Sequence, residues 1–292
     1  MTLHPLPGPQ GDPLPGAAAP YPATPTQVAL HYESALSGRP WANLEQIVVE
    51  LAPGQISRAA LLAAWVRVAA RHDALRMVLR PDDALGYRLV LLDSVAVDLR
   101  DCDWSALDAA GRDRALEHRL EQDRLAGIDP EQAPAWHVTL ADLGTAGALM
   151  IWTIHHAFID ATSMEIIMQD VFDSFDESPP ARPPQVSFAE FAQQIAGQDK
   201  TAARSFFQAH LDPGATPAPF AAPVAPALPQ SGGRMARLSR RLDPGDGAAL
   251  RTVAARCGAT PLNLLQLAWG WFWRAGPGSP PCALVWLIRA AR

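Results

Sequence analysis

The stretch IHHAFIDATSMEII, Ile154 to Ile167, places two adjacent histidines ahead of an aspartate and an apolar run. Upstream, ALMIWTIHH (Ala148 to His156) reads as an apolar strand running straight into the histidines. Successive strand residues point to opposite faces, so His155 and His156 cannot both face one cavity while strand geometry holds. One is directed to packing and the other to a cleft. Shared ligation of one metal is therefore disfavoured, and no nearby Cys or Glu completes a ligand set. Asp160 closes the loop, and Thr162 with Glu165 forms a Thr-x-x-Glu capping box predicted to start the next helix near Ser163. An imidazole titrating near neutrality is the usual acceptor for the proton of an attacking amine, hydroxyl or thiol. The carboxylate can hold the ring or the loop, or be neutralised by an arginine. On the residues alone, a catalytic pair and a structural strand end both stand.

The whole chain bounds these readings. With 292 residues, 49% of them hydrophobic, it can bury roughly three quarters of the surface its unfolded form exposes. A formal charge of -6 without a basic run argues against a nucleic-acid partner. Cys102, Cys257 and Cys282 are far apart, which disfavours a disulfide framework or zinc site and fits a reducing, cytoplasmic location. No apolar run reaches the ~18 residues of a membrane span, and the N-terminus lacks the pattern of a secretory signal.

The 28 prolines cluster and divide the chain. Residues 1–23 read as a flexible leader, Asp176 to Gln185 as a break, and 211–233 as a Pro/Ala-rich linker. Between them, 24–210 form one unit and 234–292 begin another. Strands are predicted at Leu44–Leu51, Ala74–Arg80, Tyr87–Leu92 and on both sides of GTAG, with a hairpin between the second and third. In Ala74–Arg80 the alternation sets Leu75, Met77 and Leu79 against Arg76, Val78 and Arg80. Helices are predicted from Ser57 to His72, Trp104 to Leu125, Ser163 to Phe175 and Phe188 to His210. Beyond the linker the order is strand (MARLSRRL), helix (Gly245 to Cys257), helix (Pro261 to Arg274), strand (CALVWLI). In the last helix Trp269 and Trp273 share a face and Trp271 lies near the opposite side, so it expects burial all round.

The stretch resembles the H-H-x-x-x-D-G motif of condensation domains of nonribosomal peptide synthetases, within the chloramphenicol-acetyltransferase-like acyltransferases. ATPTQVALHYESALSGRPWANLEQ, AAWVRVAARHDALRMVLR, VDLRDCDWS, DRLAGIDPEQAPAWHVTLADLG and GATPLNLLQLAWGWFW resemble further family segments in the family's order. The resemblance covers about Ala23 to Trp273. It implies an α/β (α+β) sandwich of two acetyltransferase-like halves, the first complete here and the second only begun, with a tunnel at their junction. It implies amide formation between acyl groups carried as phosphopantetheine thioesters. The chain itself binds no cofactor; partner carrier proteins or adjacent synthetase modules supply the arm. His156 is the implied catalytic residue, His155 supports local packing, and Asp160 is structural, paired with Arg76. On the residues alone Arg76 is a solvated strand arginine and His72 a packing or helix-end contact.

Two departures qualify this. Ala161 stands where the family has glycine; if that position needs positive φ, the Cβ costs about 1–2 kcal/mol. Family members also continue past CALVWLIRAAR, so a separate chain supplying the rest of the second half is a candidate partner. The alternatives are a stand-alone acyltransferase to an alcohol or amine, and a non-catalytic remnant or carrier-docking module. An exposed apolar patch and self-association are expected around Trp269 to Trp286.

Overall fold

The computed structural model describes residues 20–82, 86–175, 187–210 and 241–274. The Asp176–Gln185 break, the 211–233 linker, most of MARLSRRL and all of CALVWLI lie outside the described residues. Contacts divide the chain into two units, Met1–Gln198 and Asp199–Arg292.

The first unit is built on two sheets. In the larger, β7 (Ala148–His155) lies between β2 (Leu44–Leu51) and β6 (Trp136–Asp142), antiparallel to both. Beyond β6, β5 (Leu99–Asp103) pairs in parallel. The GTAG connection is a short 3-10 turn, Gly144–Ala146, whose ends are Gly144 and Gly147 at positive φ. A Cβ on Gly147 would lie 2.1 Å from the Leu51 carbonyl oxygen, so only glycine fits beside β2.

Alternation along β7 sorts its side chains. Met150, Trp152 and Ile154, with Trp136 and Val138, pack under α2 (Arg58–Arg71) and α4 (Ala161–Asp173). Trp65 of α2 sits 5.2 Å from Trp136 and 5.1 Å from Trp152, ring to ring. Leu149 and Ile151 turn the other way, into a cluster with Trp104 and with Leu116 and Leu120 of α3 (Ala109–Ala126). Sequestering these large rings on both faces is the chief driving force for this layer.

The smaller sheet has the order β1 (Tyr21–Pro22), β4 (Gly86–Leu91), β3 (Met77–Asp82). Tyr21, Met77, Leu79, Tyr87 and Leu89 pack there against Tyr32 of α1 (Pro25–Ser37) and Ala192 of α5 (Phe188–Ala196). Tyr21 and Pro22, inside the expected leader, are thus a strand. The expected hairpin of β3 and β4 forms, but Ala74 and Leu75 belong to a 3-10 turn, and Val78, set opposite Met77 and Leu79, is as fully buried as they are.

Helix boundaries shift where a short polar side chain caps the backbone. Asp108 accepts from the Gly111 amide at 2.7 Å, so α3 begins at Ala109 and Trp104 joins the core instead. The helix predicted over Phe188–His210 is two: α5 ends before Gly197, and α6 (Thr201–His210) starts where Asp199 accepts from the Thr201 amide at 2.8 Å.

The second unit contains α6, α7 (Pro244–Arg256) and α8 (Pro261–Arg274). Asp243 caps α7, and Thr260 and Asn263 cap α8 reciprocally. Leu262, Leu265 and Trp269 of α8 are exposed, and most of the stretch from Trp269 to Trp286 lies outside the described residues. No helix among the described residues is long and apolar enough to cross a membrane.

Candidate active site

The two histidines meet opposite fates at the end of β7. His155, the last strand residue, is 1% exposed. Its Nδ1 accepts from the Ala157 amide at 3.1 Å, so the ring proton sits on Nε2 and is donated to Ser34 Oγ at 3.2 Å. Both ring nitrogens are used by the fold. Burial, reinforced by nearby His31 and His156, pushes this imidazole down to about 4.

His156 leaves the strand and opens a 3-10 turn, His156–Phe158. Its Nδ1–H donates to the Ile159 carbonyl at 2.6 Å. That fixes the tautomer and leaves the Nε2 lone pair unused by the backbone. The side chain is 35% exposed, and Nε2 lies 3.8 Å from Glu45 Oε1 on β2. The register explains this neighbour: Glu45 pairs with Ile154 and therefore shares its face.

One residue serves both rings. Asn43, immediately before β2, has φ 60° and is the one non-glycine at positive φ among the described residues. Its carbonyl accepts the His156 amide at 2.7 Å. Its side-chain amide donates to the Leu30 carbonyl at 2.9 Å and to Ser34 Oγ at 3.1 Å. Asn43, Ser34, Glu45 and Ile159 are missed by sequence reasoning. An asparagine before a strand hints at left-handed backbone, but nothing local shows that its carbonyl meets a histidine over a hundred residues away.

Asp160, Ala161 and Arg76 depart from expectation. Asp160, not Thr162 with Glu165, caps α4, and its Oδ1 accepts from the Ser163 amide at 2.8 Å. Hydrogen bonding from Ser163, with a smaller contribution from His156, holds its carboxyl below the usual range. The expected Asp160–Arg76 pair does not form. Arg76 Nη2 takes Asp73 Oδ1 at 2.9 Å, and the guanidinium donates to the carbonyls of Ala69 (3.0 Å) and Leu92 (2.6 Å). It is neither a partner of Asp160 nor a solvated arginine; it ties the end of α2 to the turn before β3 and the end of β4. Asp73 lies only three residues away, so Arg76 finds its carboxylate locally. Ala161 is the first residue of α4 and has no positive φ, so its Cβ carries no backbone strain. His72 makes a helix-end contact, with Nε2 2.8 Å from Asp170 Oδ2 on α4; Arg71 Nε reaches the same oxygen at 3.0 Å. Burial lowers the His72 ring's pKa against the pull of Asp170. No cluster of three or more metal-ligating side chains occurs among the described residues.

The arrangement offers one hydrogen-bonded, partly open imidazole with a free acceptor nitrogen, next in sequence to a sealed one. Comparison with known proteins places the chain in a family. The model of the condensation domain matches residues 17–275. One protein of the linear gramicidin synthase of Brevibacillus parabrevis is 30% identical over 165 residues, covering 54% of this chain and 2% of that protein. Another protein of the same synthase is 27% identical over 256 residues, covering 85% of this chain and 5% of its own length. The chain thus spans a small fraction of these curated relatives. A four-domain nonribosomal peptide synthetase crystallised with AMP and glycine superposes with a TM-score of 0.69 at 19% identity, over 90% of this chain and 20% of that one. The fold is chloramphenicol-acetyltransferase-like, and the chain belongs to the condensation-domain family of nonribosomal peptide synthetases.

Proposed function

We propose that this chain carries the catalytic base of an amide-forming condensation, with His156 in that role. Two carrier proteins, or adjacent synthetase modules, would present acyl and aminoacyl groups as phosphopantetheine thioesters. The acceptor amine donates a proton to His156 Nε2 as its nitrogen attacks the donor thioester carbon. The C–S bond then breaks, the amide forms, and the thiolate leaves on its carrier arm. His155 holds the strand end rigid, Asp160 caps the helix that follows, and Arg76 secures the α2 end. Ala161 is compatible with this role because it sits in an unstrained helical turn.

The observation that carries the reading is the His156 tautomer: Nδ1–H is held by the Ile159 carbonyl at 2.6 Å while Nε2 keeps its lone pair on a ring 35% exposed. A positioned base contributes about 10²–10⁴-fold. The test is single-turnover amide formation from two loaded carrier proteins. His156→Ala is expected to slow it by about 10²-fold or more with an unchanged unfolding midpoint. Equal turnover would remove His156 from the chemistry.

A further inference from the structure

We infer that Glu45 and His156 together form a two-acceptor cradle that selects an ammonium acceptor over a hydroxyl; this rests on His156 acting as the base. With Nδ1–H committed to Ile159, Nε2 turns its lone pair toward the Glu45 carboxylate 3.8 Å away. That separation exceeds a direct hydrogen bond, and two facing acceptors repel unless a donor stands between them. A group carrying several N–H bonds satisfies both at once. A hydroxyl, with one hydrogen, satisfies only one.

The surrounding charges favour a cation. Among the described residues no lysine or arginine is ion-paired with Glu45, and only the His156 ring lies within ion-pair distance of it. Asp160, the cap of α4, interacts electrostatically with His156, and Glu33 of α1 reaches the Asn43 amide at 3.5 Å. Behind them His155 is sealed and kept uncharged by burial. Arg124 of α3 is engaged by Gln46, the next residue of β2, at 3.0 Å.

Proton balance supplies the reason for a second acceptor. An α-amino group titrates near 8, so at neutral pH it arrives mainly as R–NH₃⁺. R–NH₃⁺ plus a thioester gives an amide, a thiol and one released proton. The nitrogen sheds two protons: one before attack, and one that is passed to the departing thiolate. An alcohol sheds only the second. His156 suffices for that one, whereas the first needs an outlet. The Glu45 side chain, 39% exposed, can take it and release it to water.

The test compares the wild-type chain with Glu45→Gln, using one donor carrier and two acceptors: a glycyl-loaded carrier and its glycolyl-loaded counterpart. At about pH 6.5 the substitution is expected to slow amide formation about 10-fold and ester formation less than about 2-fold. Near pH 9 the amine is already free, and the amide deficit should shrink to within about 2-fold. Equal deficits for both acceptors, or an amide deficit that ignores pH, would overturn the inference. A parallel binding assay uses unreactive glycyl- and hydroxyacetyl-pantetheine analogues with an amide in place of the thioester. Wild type should prefer the ammonium analogue, and Glu45→Gln should lose that preference. No preference in wild type overturns the cradle whether or not the chain turns over. A preference that Glu45→Gln abolishes, found in a chain without turnover, supports the cradle and counts instead against His156 as the base.

Discussion

Two polar regions flank β7, and they differ in how much of their bonding capacity the fold has used. Under α3, the Asp123 carboxylate is completely buried, with His137 Nε2 at 3.1 Å, Arg100 Nη1 at 3.4 Å and Arg119 one helical turn away on both oxygens. Burial alone would raise its carboxyl, but His137 and Arg119 outweigh burial and hold it at about 2. At the strand end, His156 has one nitrogen bonded and the other directed at a partly exposed glutamate. The strongly displaced titrations of these two regions, those of Asp123 and His155, belong to saturated groups. A perturbed group in a cleft is a reasonable functional candidate; here the proposed base is marked instead by its leftover hydrogen-bonding valence.

If that contrast holds, the two regions fail differently. Asp123→Ala leaves Arg119 and Arg100 without their buried partner, and hydrogen bonds to charged groups contribute about 1.5–3 kcal/mol each. We expect a loss of at least about 3 kcal/mol in urea unfolding, with turnover per folded molecule unchanged. His156→Ala should do the reverse, staying within about 0.5 kcal/mol of wild type in stability. Near-wild-type stability for Asp123→Ala would end the claim that the α3 region is structural.

His155 sharpens the comparison through pH. Its folded value of about 4 lies below the ordinary 6.5, so between these pH values the unfolded chain binds more protons than the folded one. Stability is then full above about pH 6.5 and falls as pH drops, by up to about 1.4 kcal/mol per unit and about 3 kcal/mol in all. His72, lowered in the same sense, adds to the slope. Asp123 acts lower down: its contribution is present above 3.8 and is lost as pH falls toward 2. Unfolding midpoints from pH 7 to 4 should show the slope, and His155→Asn should flatten it. An undiminished slope would mean that His155 is not sealed in solution.

What is legible in the sequence follows the range of the interactions. The turn at GTAG between β6 and β7 and the β3–β4 pairing rest on patterns within a few residues, and both are present; His155 and His156 differ because the strand ends between them. The start of α4 falls at a different cap from the expected one, because Asp160 and Thr162 are both good capping residues and only the backbone decides between them. Arg76 takes the carboxylate three residues away in place of the distant one expected for it. Glu45 and Asn43 are out of reach, since their positions beside His156 depend on the β2–β7 register across more than a hundred residues. The Ala161 strain rests on a positive φ that a helix start does not have.

Asn43 belongs to both sides of the comparison, which makes it the finest test. Its amide serves the sealed side through Ser34 and its carbonyl serves the open side through His156. Asn43→Gly keeps the left-handed backbone and the carbonyl but removes the amide, whose hydrogen bonds contribute about 1 kcal/mol each. Asn43→Ala removes the amide and also places an ordinary Cβ at φ 60°, adding about 1 kcal/mol of strain that a shift of the carbonyl would relieve. We expect both variants to lose about 1–2 kcal/mol of stability, and Asn43→Ala alone to lose turnover by several-fold, read as kcat with KM little changed. If Asn43→Gly loses turnover just as much, the amide contact to Ser34 governs the reactive ring as well. The sealed histidine would then be part of the machinery that aims its neighbour, and the line between the two regions would have to be drawn behind His155.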